Sequence, residues 1–217
     1  MKKSSVILCT GQYGSWAHAF MLRRAGFDVQ VVDIFDDQPR AHKPGWKELA
    51  CAHTREWGGS LLGNLSERMT IADFEGALTR AFFLRAERFY LVAYGVGSDA
   101  ALSFLQGGAS RENVTGAILF YPHMKMEAAG FHRISPRADV QLLFGANDEV
   151  TTVDRARGIA SNFKQVTVHL FPGGYGFGSV LIRGSAFPIP NQYFSLLAAR
   201  EAREHLKSVL NIWSSAE

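Results

Sequence analysis

Cysteine is scarce in this chain, with only Cys9 and Cys51 among 217 residues. Two thiols give no disulfide framework. Long apolar runs are missing as well, and none approaches the length of a membrane span. Lys2-Lys3 followed by Val6-Ile7-Leu8 imitates the start of a signal peptide, but the apolar stretch stops at Thr10-Gly11, too short for the hydrophobic region of one. The expectation is a cytoplasmic protein with no membrane partner. Charge of one sign is also lacking: 23 Lys and Arg against 20 Asp and Glu leave a net charge of +3. Arg23-Arg24 is a pair and not a patch, so nucleic acid is not an expected partner. The 7 histidines and the carboxylates show no metal-ligand spacing such as His-Glu-x-x-His, and no metal or cofactor is expected.

What is present is a chain with 47% hydrophobic and 20% charged residues, long enough for one domain over 1–217 with a sizeable core. Val6-Ile7-Leu8-Cys9 is a continuous apolar run, as a strand buried on both faces of a parallel sheet requires. A helix follows from Trp16 and stops at Gly26, and Val29-Gln30-Val31-Val32-Asp33 reads as the second strand. Residues 35–68 are rich in Asp, Pro and Gly and read as loops with a short helix around Trp46. Ile71, Phe74, Leu78, Ala81 and Phe82 recur at helical spacing. Further strands are read at Phe89 to Val92, Gly116 to Tyr121, Val140 to Gly145 and Val166 to Phe171. Helices fall around 100–105, 153–163 and 193–211. The alternation predicts a doubly wound, mostly parallel α/β sheet flanked by helices on both faces. Ligands of such sheets sit at the carboxyl ends of the strands.

The run from Leu91 to Ala100 organises the rest. Leu91-Val92-Ala93 leads into the glycine-flanked turn Tyr94-Gly95-Val96-Gly97, and a helix former, Ala100-Ala101-Leu102, follows at once. Strand, sharp turn and helix make the layout of a nucleophile elbow, whose pattern is small residue, any residue, nucleophile, any residue, Gly. Here the nucleophile's position is Gly95.

Three segments together resemble the dienelactone hydrolase family of α/β-hydrolases. Ala93-Tyr94-Gly95-Val96-Gly97 is similar to the family's Gly-Tyr-Cys-Leu-Gly. Leu142-Leu143-Phe144-Gly145-Ala146-Asn147-Asp148 is similar to its acid segment, with Asp148 at the triad acid. Phe171-Pro172-Gly173-Gly174-Tyr175-Gly176-Phe177 is similar to its Tyr-Pro-Gly-x-x-His-Gly-Phe, one residue shorter, with Tyr175 in the histidine's place. The resemblance implies an α/β-hydrolase fold and an ester- or lactone-handling ancestry. It also implies a degenerate triad, because Gly95 replaces the Cys, Tyr175 replaces the His, and Gly11 stands where the family carries a Glu. An unperturbed tyrosine, with a pKa near ~10, is a poor base at neutral pH.

The expected function is retention of a pocket for a small ester, lactone or carboxylate with little or no hydrolysis, lined by Val96, Gly97, Gln12, Tyr13, Tyr94 and His123. The backbone N–H of Val96 and the amides of Gly97 and Ser98 would form an anion-binding corner. Two alternatives stand beside it. One is an active hydrolase using Ser98, His123 and Asp148, although a serine in the first helical turn more often caps the helix. The other is a structural or partner-binding role, with a homodimer contact through 35–68 or 173–190. Cys9 reads as a core residue and His169 as a packed or surface one. Gly95-Val96-Gly97-Ser98-Asp99-Ala100 also meets a loose dinucleotide fingerprint. It lies mid-chain, and the next strand ends in Phe120-Tyr121-Pro122 with no acidic residue, so no dinucleotide is expected.

Overall fold

A computed structural model describes residues 5–10, 15–33, 88–107, 113–122, 131–148, 153–174 and 196–215. In chain order the elements are β1 (Ser5–Thr10), α1 (Ser15–Arg24), β2 (Asp28–Asp33), β3 (Phe89–Tyr94), α2 (Val96–Gln106), β4 (Val114–Phe120), β5 (Asp139–Gly145), α3 (Val153–Asn162), β6 (Val166–Phe171) and α4 (Leu196–Ser215). The six strands form one sheet in the order β2-β1-β3-β4-β5-β6, and every neighbouring pair is parallel. The doubly wound parallel sheet expected from the sequence is present.

Both faces of the sheet are buried, which is why the strands read as unbroken apolar runs and not as alternating patterns. Ile7, Cys9, Leu91, Ala93, Leu119, Leu142 and Phe144 pack on one face against Ala101, Leu102 and Leu105 of α2 and Ala156 and Ile159 of α3. Val6, Leu8, Val92, Ile118 and Leu143 pack on the other against Ala19 and Leu22 of α1 and the inner stripe of α4. That stripe is Ala198, Ala202, Leu206, Val209 and Leu210, while Arg200, Glu201, Glu204, Ser208 and Asn211 face solvent. The spacing is that of a helix with one apolar side. Each buried Leu, Ile or Phe contributes about 1.5–3 kcal/mol.

Element ends carry the differences from the sequence reading. The helix after the elbow starts at Val96, with Ser98 in its first turn as expected, because the glycine before it lets the chain turn from strand to helix without a connecting loop. The last helix runs to Ser215, four residues past the expected Asn211. Its final turn is held by Trp213, whose indole stacks on Tyr90 (centroids 5.2 Å apart) and donates Nε1–H to Asp139 Oδ2 at 3.0 Å. The same indole lies against Gly116, where any Cβ would collide with it. The predicted helix at 71–85 and the loops at 35–68 lie outside the described residues.

Trp213→Ala should cost about 2 kcal/mol, less than for a fully buried indole because Trp213 is half-exposed. Gly116→Ala should destabilise by about 1–3 kcal/mol through overpacking. Urea unfolding of the two variants checks both.

Candidate functional site

The strand order places β1 and β3 side by side while the chain leaves them toward opposite edges of the sheet. Such a switch point opens a crevice at the carboxyl ends of the strands. The register pairs Thr10 with Tyr94 and Tyr94 with Phe120, so β1, β3 and β4 end level with one another. Gly95 sits at this edge with φ 54° and ψ −122°. That is the conformation of the first central residue of a type II′ turn, which favours glycine. The next residue already belongs to α2.

Two donors fasten this turn to β4. Gly95 N–H donates to the Phe120 carbonyl at 3.1 Å, and Ser98 Oγ–H donates to the same oxygen at 2.9 Å. Ser98 is fully buried. Its own N–H donates to the Gly95 carbonyl at 2.8 Å. Among the described residues no backbone hydrogen bond takes up the N–H of Val96 or Gly97. These are the orphan donors that any helix start leaves. Tyr121, the residue after Phe120, is buried with φ 39°, an uncommon backbone for a tyrosine, and its N–H donates to the Leu143 carbonyl at 2.7 Å.

The loop after β5 is pinned to the end of β6. Ala146 N–H donates to the Phe171 carbonyl at 2.8 Å and Asn147 N–H to the Gly173 carbonyl at 2.9 Å. Asp148 N–H closes the turn on the Gly145 carbonyl at 3.1 Å. Gly145 must be glycine here, because a Cβ would run into the carbonyls of Gly173 and Gly174. The two glycine-containing motifs are therefore halves of one backbone junction, and Asp148 is buried at its end.

Comparison with solved structures finds the same architecture at low sequence identity. A candidate dienelactone hydrolase from Klebsiella pneumoniae aligns with a TM-score of 0.69 at 10% identity, covering 96% of this chain and 87% of its own. Est1E from Butyrivibrio proteoclasticus aligns at 0.63 and 10% identity, covering 99% and 89%. A monoacylglycerol lipase from Paleococcus ferrophilus aligns at 0.61 and 13% identity, covering 96% and 94%. No family model matches the sequence, and no curated protein matches it. The chain has the α/β-hydrolase fold.

Within that hydrolase fold the described residues bring Gly95, Val96 and Gly97 to the carboxyl edge of the sheet, and the loop bearing Asp148 leaves the same edge from β5. Gln12, Tyr13, His123 and Tyr175 lie outside the described residues. Two expectations need correction. Ser98 neither caps α2 nor presents a nucleophile, since its hydroxyl is buried and committed to the Phe120 carbonyl, and its amide is not a free donor. Tyr94 is a core residue and not part of a ligand-facing lining. Its ring is 4% exposed, stacks on Phe120 at 4.2 Å and lies 4.2 Å from the ring of His18. The physical reason is strand alternation, which turns it to the same face as Tyr90 and Val92.

Electrostatics removes further candidates. Burial pushes the Cys9 thiol far up, so it stays protonated within β1. Burial also pushes the Tyr94 phenol well above its ordinary value, with Tyr121 adding to the rise and Arg203 opposing it. Tyr94 is therefore neutral, and it cannot serve as a base. No group of three or more His, Cys, Asp or Glu capable of holding a metal occurs among the described residues, and none of their helices is long and apolar enough to cross a membrane. The signal that sequence reasoning missed is the Phe120 carbonyl, which no side-chain motif marks.

Gly95→Ala should lose about 1–3 kcal/mol of stability by forcing a Cβ into this backbone conformation. Ser98→Ala should lose about 1 kcal/mol by leaving the Phe120 carbonyl with one donor. Denaturant midpoints of both variants read the effects, and a Gly95→Ala protein as stable as the parent would show that the turn is unstrained.

Proposed function

We propose that this chain is a dienelactone-hydrolase-like protein that has lost the family's chemistry and binds a small carboxylate- or lactone-bearing molecule without hydrolysing it. The observation that carries the reading is Gly95. It has the backbone of an elbow tip, at the carboxyl edge of the sheet and immediately before a helix, and it has no side chain that could attack. A hydrolytic triad needs a nucleophile within hydrogen-bond reach of an oriented base. By resemblance the base position is Tyr175. The nearest aliphatic hydroxyl to the elbow in sequence, Ser98, is engaged in a buried hydrogen bond, which weighs against a rescued triad of Ser98, His123 and Asp148.

Substitution removes side chains and leaves the backbone untouched. The N–H groups of Val96 and Gly97 at the start of α2 are donors that need no particular residue, and the helix end favours negative charge. They suit a carboxylate or the carbonyl oxygen of a lactone. The resulting corner has two amides and not three, because the Ser98 amide is bonded to Gly95.

Turnover of aryl esters and enol-lactones by the purified protein should stay at the uncatalysed background. A Gly95→Cys, Tyr175→His double variant should raise it measurably, by restoring a nucleophile and a base on the same scaffold. Small carboxylates titrated into labelled protein should shift the amide resonances of Val96 and Gly97. Parent turnover well above background would overturn the loss of chemistry, and unmoved amides at saturating carboxylate would overturn the binding corner.

A further inference from the structure

Next to the outer edge of the sheet, β5 and α4 share a polar chain that the elbow does not use. Trp213 Nε1–H donates to Asp139 Oδ2 at 3.0 Å, and Gln141 Nε2–H donates to the same oxygen at 3.3 Å. This turns Gln141 Oε1, which can only accept, toward His205, and the two atoms lie 2.8 Å apart. His205 must therefore carry its proton on Nε2. Its ring lies 4.1 Å from that of His169 on β6, tilted by 49°, and touches Phe171 edge-on at 5.9 Å. His169 Nε2 is buried with no hydrogen-bond partner among the described residues. One histidine belongs to the edge strand and the other to α4, so the pair bridges the two elements.

We propose that the His169–His205 pair is an acid-sensitive clasp whose protonation loosens the C-terminal half of α4 from the outer edge of the sheet. Two neutral imidazoles at this distance pack as aromatic rings. A proton on one puts a cation against its neighbour in a half-buried setting, and a second proton adds direct repulsion. The surroundings offer limited relief. From β5, Asp139 faces the pair and favours the charged forms, but its carboxylate oxygen already accepts from Trp213 and Gln141. From β4, Gly116 and Ile118 present no charge to α4. On α4 itself, Glu204 and Lys207 pair with each other at 3.2 Å, Glu201 is exposed, and Arg203 acts on Tyr94.

Burial lowers His205 to about 4, with His169 adding to the fall and Asp139 opposing it. Burial likewise lowers His169, again with Asp139 opposing. Both groups bind protons more weakly folded than unfolded. Their contribution to docking is complete above the ordinary histidine range near ~6.5 and is lost as pH falls toward the folded value. The open helix end, in which both rings are solvated, gains the protons. The clasp is independent of whether the elbow binds a carboxylate.

Hydrogen exchange followed by mass spectrometry tests it, with peptides from the C-terminal half of α4 compared with β3 peptides in the same molecule. Between about pH 7.5 and about pH 5, after correction for intrinsic exchange, opening of α4 should rise roughly tenfold relative to β3. A His169→Asn, His205→Gln double variant should lose this response. Equal pH responses of α4 and β3 in the parent overturn the proposal, and so does a response that survives in the double variant. Should the double variant not fold, a His169→Gln protein with an undiminished α4 response overturns it equally.

Discussion

One carbonyl fastens the glycine turn at the carboxyl edge of this sheet. The Phe120 oxygen receives the Gly95 amide and the Ser98 hydroxyl, and through them the end of β3 and the first turn of α2 are fastened to β4. Such a buried acceptor with two donors costs little to satisfy and much to strand. The arrangement gives the serine beside Gly95 a structural task. Its hydroxyl works for the backbone. The Val96 and Gly97 amides at the helix start are positioned by this same fastening.

A second junction sets the neighbouring loop by close approach and not by side chains. Gly145 faces the carbonyls of Gly173 and Gly174, and the Ala146 and Asn147 amides bond across to Phe171 and Gly173. Both glycine-containing stretches belong to motifs that resemble catalytic segments, yet in the fold they meet as backbone against backbone. Hydrogen bonds between main-chain groups hold the shape of this edge, whatever side chains the two loops carry. The structural neighbours share the fold at 10–13% identity. That is the expected outcome when architecture rests on core volume and turn geometry, which many sequences satisfy.

The sheet's outer edge follows a different logic. β6 is half-exposed and, among the described residues, has no strand beyond it; the polar chain from Trp213 to His205 ties α4 to the neighbouring β5, and the His205–His169 ring contact reaches β6 itself. That contact is made on the face of β6 that carries His169 and Phe171, so α4 covers this face of the edge strand. Because both rings in the His205–His169 contact are imidazoles, the cover is sensitive to protonation in a way an apolar contact would not be.

By itself the sequence determined the layered architecture. Continuous apolar runs such as Val6-Ile7-Leu8-Cys9 and Ala117-Ile118-Leu119-Phe120 mark strands covered on both faces, and the stripe from Ala198 to Leu210 marks a helix with one buried side. It also marked the elbow, by glycines at 95 and 97 between a strand and a helix former. What it could not decide were the partners of polar groups. Ser98 reads as a cap or a nucleophile, Tyr94 as a ligand contact, and His169 as a packed or surface residue with no partner named. The structure instead gives each a partner far away along the chain: the Phe120 carbonyl, the ring of Phe120, and His205 on the last helix. Periodicity is local, set by the geometry of one strand or helix, and so it is visible in sequence. Hydrogen bonds and ring contacts between elements depend on register and sheet order, which exist only once the chain has folded.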